Sequence, residues 1–195
     1  SISDVIEQKP VAYQEIDGQK VTVSCNFVLN RNEVSFEFPE GYDKNHPLII
    51  DPILIFSTYT GSTANNFGST ATYDIDGNTY AAGTIFGTGY PTTSGAYDVT
   101  FNGSGTSIYG LAHPDVGISK FNANGGALIY STYIGGSLAE TPQSLVVNDN
   151  YELYIFGSTG SSNFPTTAGA YDGTFNGGGN IGIAGAAIEH PNGTD

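Results

Sequence analysis

The sequence predicts an all-β fold assembled from repeated units, on three observations. The first is a repeat. Pro-Thr-Thr-Ser-Gly-Ala-Tyr-Asp-Val-Thr-Phe-Asn-Gly at 91–103 returns as Pro-Thr-Thr-Ala-Gly-Ala-Tyr-Asp-Gly-Thr-Phe-Asn-Gly at 165–177, with 11 of 13 positions identical and an offset of 74 residues. The same offset carries Leu54-Ile55-Phe56-Ser57-Thr58-Tyr59 onto Leu128-Ile129-Tyr130-Ser131-Thr132-Tyr133, Tyr80 onto Tyr154 and Gly83 onto Gly157. A fixed period of this length marks one supersecondary unit stacked on its copies. The second is composition: 27 Gly and 13 Tyr with no Trp and no Met, a mixture suited to short strands and tight turns. The third is that no window of ten or more residues sustains an apolar period of 3.6, so little or no helix is expected.

Charge excludes some partners. Nineteen acids face five bases, for a formal net charge of −14. Binding a phosphate backbone needs clustered Lys and Arg, so no nucleic acid is expected, and anionic membrane surfaces are disfavoured on the same grounds. No run of 18 apolar residues is present, so no direct membrane insertion is expected. The start, Ser1-Ile2-Ser3-Asp4, does not read as a signal peptide. Cys25 is the single cysteine and falls in the alternation Val21, Val23, Cys25, Phe27, which predicts a buried structural thiol.

Residues 1–52 form a separate lead-in. They hold four of the five basic residues and little glycine. Asp17-Gly18 joins Val11–Glu15 to Gln19–Val23 as a two-residue hairpin. A second hairpin joins Cys25–Leu29 to Val34–Phe38, and Leu48-Ile49-Ile50 adds a last strand. This reads as a short β-meander. About 50 residues is a marginal core alone.

Two repeat units follow, 53–126 and 127–195. In the first, Leu54–Thr60, Ser69–Tyr73, Thr79–Thr84 and Asp115–Phe121 read as strands; in the second, Leu128–Ile134, Gln143–Val147, Glu152–Gly157 and roughly 181–188. Four strands per unit, in order, is the content of a β-propeller blade. A closed ring takes roughly four to eight blades, so the two units are expected to be part of a larger propeller. The alternative is an open stack completed by another chain.

The combination Ser-Thr-Tyr-x-Gly, Asp-x-x-Gly-Asn-x-Tyr-x-x-Gly and Phe/Tyr-Pro-Thr-Thr-x-Gly-Ala-Tyr over residues 53–195 resembles the SBBP-type bacterial β-propeller repeat. Phe38-Pro39-Glu40-Gly41-Tyr42-Asp43 and Ile50-Asp51-Pro52 resemble the end of the domain that commonly precedes such repeats. The resemblance implies a large secreted, cell-surface protein of gliding, type IX-secreting Bacteroidota, with scaffold or adhesin roles. Other chains of a surface or outer-membrane assembly are the implied partners, and no catalytic activity is implied. The second unit departs from the pattern where Gly77-Asn78 becomes Tyr151-Glu152, so its turn is expected to be built differently.

Each motif carries two readings. Asp74-Ile75-Asp76-Gly77-Asn78 is the start of a calcium loop or a hairpin turn. Asp74, Asp76 and Asn78 are the weak metal candidates, but the twelfth loop position is Ile85 rather than a carboxylate, which favours the turn. In the repeated phrase, Tyr97, Phe101, Tyr171 and Phe175 beside Asp98 and Asp172 either pack between units or stack on sugars as a glycan-binding module. A secreted glycosidase or lyase would need carboxylates converging from different units, with Asp98 and Asp172 as the pair to inspect and Asp115 as a further loop acid. His46, His113 and His190 all precede proline and read as loop entries without zinc spacing. Asn102-Gly103-Ser104 and Asn192-Gly193-Thr194 match the glycosylation triplet but are also turn signals.

Overall fold

A computed structural model describes residues 9–31, 33–51, 55–106, 110–183, 188–191 and 193–195. It is all-β, and among the described residues there is no helix, hence none to cross a membrane. The chain divides into two compact units, Ser1–Ile55 and Phe56–Asp195.

In the first unit, β1 (Val11–Ile16) and β2 (Gln19–Val23) form the predicted hairpin, with Asp17 and Gly18 both left-handed (φ 52° and 75°). β3 (Asn26–Asn30) and β4 (Glu33–Glu37) form the second hairpin. The arrangement is not a meander. β5 (Ile49–Asp51) returns to the free side of β1, giving a sheet in the order β2-β1-β5, while among the described residues β3 and β4 pair only with each other. Ala12, Val23 and Cys25 form its core under Phe38 and Leu48, so the cysteine is buried as expected, whereas Val21 is exposed. Buried Gln14 clamps the following loop: its amide donates to Asp43 O (2.7 Å) and His46 O (3.0 Å), and its Oε1 accepts from Asp43 N (2.9 Å).

The second unit starts differently from the sequence expectation. Residues 55–60 form no strand, and Leu54 lies outside the described residues. β6 (Asn66–Tyr73), β7 (Thr79–Ile85), β8 (Asp115–Phe121) and β9 (Leu128–Ile134) make an antiparallel sheet in that order. The strand that opens the second sequence repeat thus completes the sheet of the first. β10 (Glu140–Val147) and β11 (Leu153–Thr159) form a second, two-stranded sheet. The segment read as one strand near 181–188 is instead two short strands, β12 (Ile181–Ile183) and β13 (Ile188–His190), paired with each other; 184–187 lie outside the described residues.

The two sheets meet face to face. β10 lies against β6, β7 and β8, and Leu145 packs with Tyr80, Ala82, Val116 and Ile118, flanked by Val147 and Leu153. The period of two puts these apolar residues on one face of each strand. On the opposite face of the larger sheet, the loop after β7 folds back. Tyr90 joins Ile85 and Tyr133 in a second cluster, and its hydroxyl shares a 2.6 Å hydrogen bond with Ser119, which shares one of 2.9 Å with Ser131. Tyr133 anchors the loop from below, accepting from Tyr90 N (3.0 Å) and donating to Gly87 O (3.1 Å).

Candidate functional site

The repeated loops hold themselves together with the residues singled out as ligands. Asp98 accepts Thr100 N–H at Oδ1 (2.7 Å) and the Asn102 amide at Oδ2 (2.7 Å). Asp172 repeats the arrangement, with Thr174 N–H at 2.8 Å and the Asn176 amide at 3.0 Å. These are Asx turns, and both carboxylates are spent within their own loops rather than converging on each other. The hydrogen bonds to Thr174 and Asn176 hold Asp172 below the usual carboxylate range. Phe101 turns inward against Tyr133, with ring centroids 6.1 Å apart, and Phe175 is half-buried. Tyr97 and Tyr171 are the exposed members, at 69% and 108% of full accessibility. Two of the four aromatics are therefore exposed and two partly buried.

Asp74 organises the β6–β7 turn. Its Oδ1 accepts the N–H groups of Asp76 (3.1 Å) and Asn78 (2.9 Å), and its Oδ2 meets Tyr80 Oη (3.1 Å) and Lys120 Nζ (2.9 Å). Burial opposes its ionisation, but Asn78, Lys120 and Tyr80 outweigh burial and hold the carboxyl down to about 2. Asp76 accepts the Tyr151 hydroxyl (2.9 Å) and Asn78 donates its amide to Asp74. Both Asp74 oxygens and Asp76 Oδ2 already face donors, the arrangement of a turn. The second unit builds the same turn, contrary to the sequence expectation. Asn148 Oδ1 accepts Asn150 N–H (3.0 Å) and Glu152 N–H (2.9 Å), and Tyr151 adopts φ 63° where Gly77 has 79°.

A carboxylate pair that sequence reasoning passed over stands at the starts of two strands, one in each sheet. Asp115 opens β8 instead of lying in a loop, and Glu140 opens β10. They are 0% and 1% exposed. Asp115 Oδ2 accepts Asn102 N–H (2.8 Å), while Oδ1 has no hydrogen-bond partner among the described residues. Glu140 Oε1 accepts the Thr159 hydroxyl (2.7 Å) and Oε2 accepts Gly136 N–H (3.0 Å). Burial, reinforced by the charges of Glu140 and Asp98, pushes Asp115 up to about 7. Burial also raises Glu140, against the hydroxyls of Ser161 and Thr159 and the Gly136 N–H. Two such groups share protons readily; Asp115 is wholly buried, while Glu140 also lines a cavity of about 350 Å³.

His46 stays a partly exposed loop residue, its Nδ1 2.9 Å from Asp43 Oδ2, but the other two histidines are more enclosed. His113 is buried, and His190 ends β13 at 0% exposure, with neither of its ring nitrogens hydrogen-bonded among the described residues. Burial and the nearby His113 lower the His190 pKa. Among the described residues no group of three or more His, Cys, Asp or Glu is placed to hold a metal. The Asn102 amide is engaged by Asp98 and Thr100, and Asn192 lies outside the described residues.

A family model described as a domain of unknown function (DUF7948) matches residues 1–53, the lead-in up to the first residue of the repeats. No curated protein and no solved structure matches the chain.

Proposed function

We propose that the chain is a non-catalytic structural and interaction module: a lead-in β-domain followed by propeller-type repeats of the SBBP kind, acting as scaffold or adhesin within a secreted cell-surface protein. The observation that carries this reading is the seating of β10 on the face of the preceding sheet, with Leu145 inserted among Tyr80, Ala82, Val116 and Ile118. Repeats that bury a face only against the next repeat build extended frameworks. The repeated Asp98 and Asp172 turns spend their chemistry on loop shape, which favours a framework over an active site. Gliding motility or type IX secretion-linked assembly is the setting that the family resemblance implies, with other surface or outer-membrane chains as partners. Protease shaving and antibody labelling of intact source cells test the location. Surface cleavage is the expected result, and a protein wholly protected inside unbroken cells would sink the reading.

Exposure of Tyr97 and Tyr171 in equivalent loops favours one second reading, glycan stacking on those rings. An oligosaccharide array probed with the protein and with the Tyr97→Ala/Tyr171→Ala variant tests it. Binding that survives the double substitution rejects stacking on these rings.

A further inference from the structure

We infer that the buried histidines His113 and His190 form an acid-sensitive latch, in which a proton taken up on His190 releases the β12–β13 hairpin from the strands it covers. The inference goes beyond the surface-scaffold reading and does not depend on it. Two chain segments place the rings. His190 ends β13, opposite Ile181 of β12. Its ring lies against Gly160, where a Cβ would stand 2.9 Å from His190 Nδ1, and Gly160 N–H donates to Ala139 O (2.8 Å). His113 leads into Pro114, whose carbonyl accepts Glu140 N–H (2.8 Å). Both segments are thus moored at the start of β10. Two residues earlier on each, Ile188 and Leu111 join Phe86 and Ala139 in one apolar cluster. The hairpin therefore covers part of the core, with the histidines alongside.

These rings suit the neutral state only. Among the described residues neither ring nitrogen of His190 and not the Nδ1 of His113 has a hydrogen-bond partner, and both side chains are buried. A neutral imidazole there forgoes a hydrogen bond, whereas an imidazolium forgoes both its water and an acceptor for its charge. The titratable groups on the segments packed here are His113, Asp115, Glu140 and Asp195, with Glu189 beside His190 on β13 itself. Asp115 accepts from Asn102, Glu140 from Gly136 and Thr159, and Asp195 from Asn176. Among the described residues none of these carboxylates is hydrogen-bonded to either ring. The charge that acts on His190 is that of His113, and it repels.

Burial first, then that repulsion, hold His190 below its ordinary 6.5. Just below that pH the folded state therefore binds fewer protons than the unfolded chain. Its contribution to stability is complete above 6.5 and is lost as pH falls through the lower folded value. Asp115, raised to about 7, has the opposite sign and is favoured by acid over the same range. The two effects are separable by direction and by place. β12 and β13 are three residues each, so a short ladder is all that must open, and local opening of such an element can precede global unfolding. Opening bares Leu111, Ala139 and Phe86, which Ile188 covers when the hairpin is seated.

Hydrogen–deuterium exchange of the 195-residue protein at about pH 7.5 and about pH 5, corrected for the intrinsic rate at each pH, tests the latch. Protection along 181–183 and 188–190 should fall about tenfold at the lower pH, while that of β8 holds or rises. His190→Leu keeps bulk without a titratable ring and should abolish the loss. Should that variant fold poorly, His113→Gln should lessen the loss by removing the repelling charge. Equal protection at the two pH values, no protection at either, a loss shared by β8, or a loss unchanged in the variant that folds would each overturn the inference. None of these outcomes depends on where the protein resides, so failure here is separable from failure of the surface-scaffold reading.

Discussion

Asp115 Oδ1 and Glu140 Oε2 close on Gly135 from two different strands. A Cβ at position 135 would stand 2.5 Å from the first oxygen and 2.7 Å from the second. Gly135→Ala must therefore drive the two sheets or the two carboxylates apart, at a cost of about 1–3 kcal/mol. Equilibrium urea unfolding reads this as a lower midpoint; an unchanged midpoint would mean that the carboxylates move aside freely.

The same pair sets a pH dependence. Asp115 titrates near 7 in the folded chain against 3.8 in the reference state, so the folded state binds more protons between those values. Its contribution to stability is complete below pH 3.8, declines as pH rises and is gone above about 7. Denaturation of wild type and of Asp115→Asn across pH 4–8 should show the difference between them shifting in favour of Asn as pH rises. A constant difference would refute the raised pKa.

Asp74 has the opposite sign. Its folded value is about 2, so its contribution is present above pH 3.8 and is lost as pH falls through about 2. Asp74→Ala leaves Lys120, whose side chain is only 13% exposed, without its carboxylate. A loss of about 3–5 kcal/mol is expected from breaking such a pair, measured by thermal unfolding. A loss below 1 kcal/mol would show that the ion pair matters little.

Tyr90→Phe removes the hydroxyl that meets Ser119 at 2.6 Å. The ring remains packed on Ile85 and Tyr133, so the cost should be about 1 kcal/mol. Exchange protection of the Tyr90 amide, which donates to Tyr133 Oη, should fall with it.

Strand content was legible in the sequence because period-two patterns and Asp-Gly turns are local signals. β1, β2, β7, β8 and β9 fall close to their expected bounds. Pairing was less legible: the return of β5 to β1 and the capture of β9 by the first repeat's sheet are long-range choices made by packing. Tyr151 shows another limit. Its left-handed backbone is expected of glycine, yet the Asn148 side chain supplies the hydrogen bonds that fix the turn regardless. Among site residues, Tyr97 and Tyr171 are exposed, whereas Asp98 and Asp172 close their own loops. The buried Asp115–Glu140 pair went unseen because it joins positions 25 residues apart. One clue was present: Glu140 stands at the 74-residue offset from Asn66, a charge in place of an amide.

The capture of β9 by the preceding sheet makes the 74-residue sequence period a poor place to cut. Excision between residues 126 and 127 would strip Leu128–Ile134 from β8 and leave the larger sheet with a raw margin. Neighbouring repeats are instead laced together like overlapping tiles. Tension along the chain would meet the β8–β9 ladder before it could separate one repeat from the next.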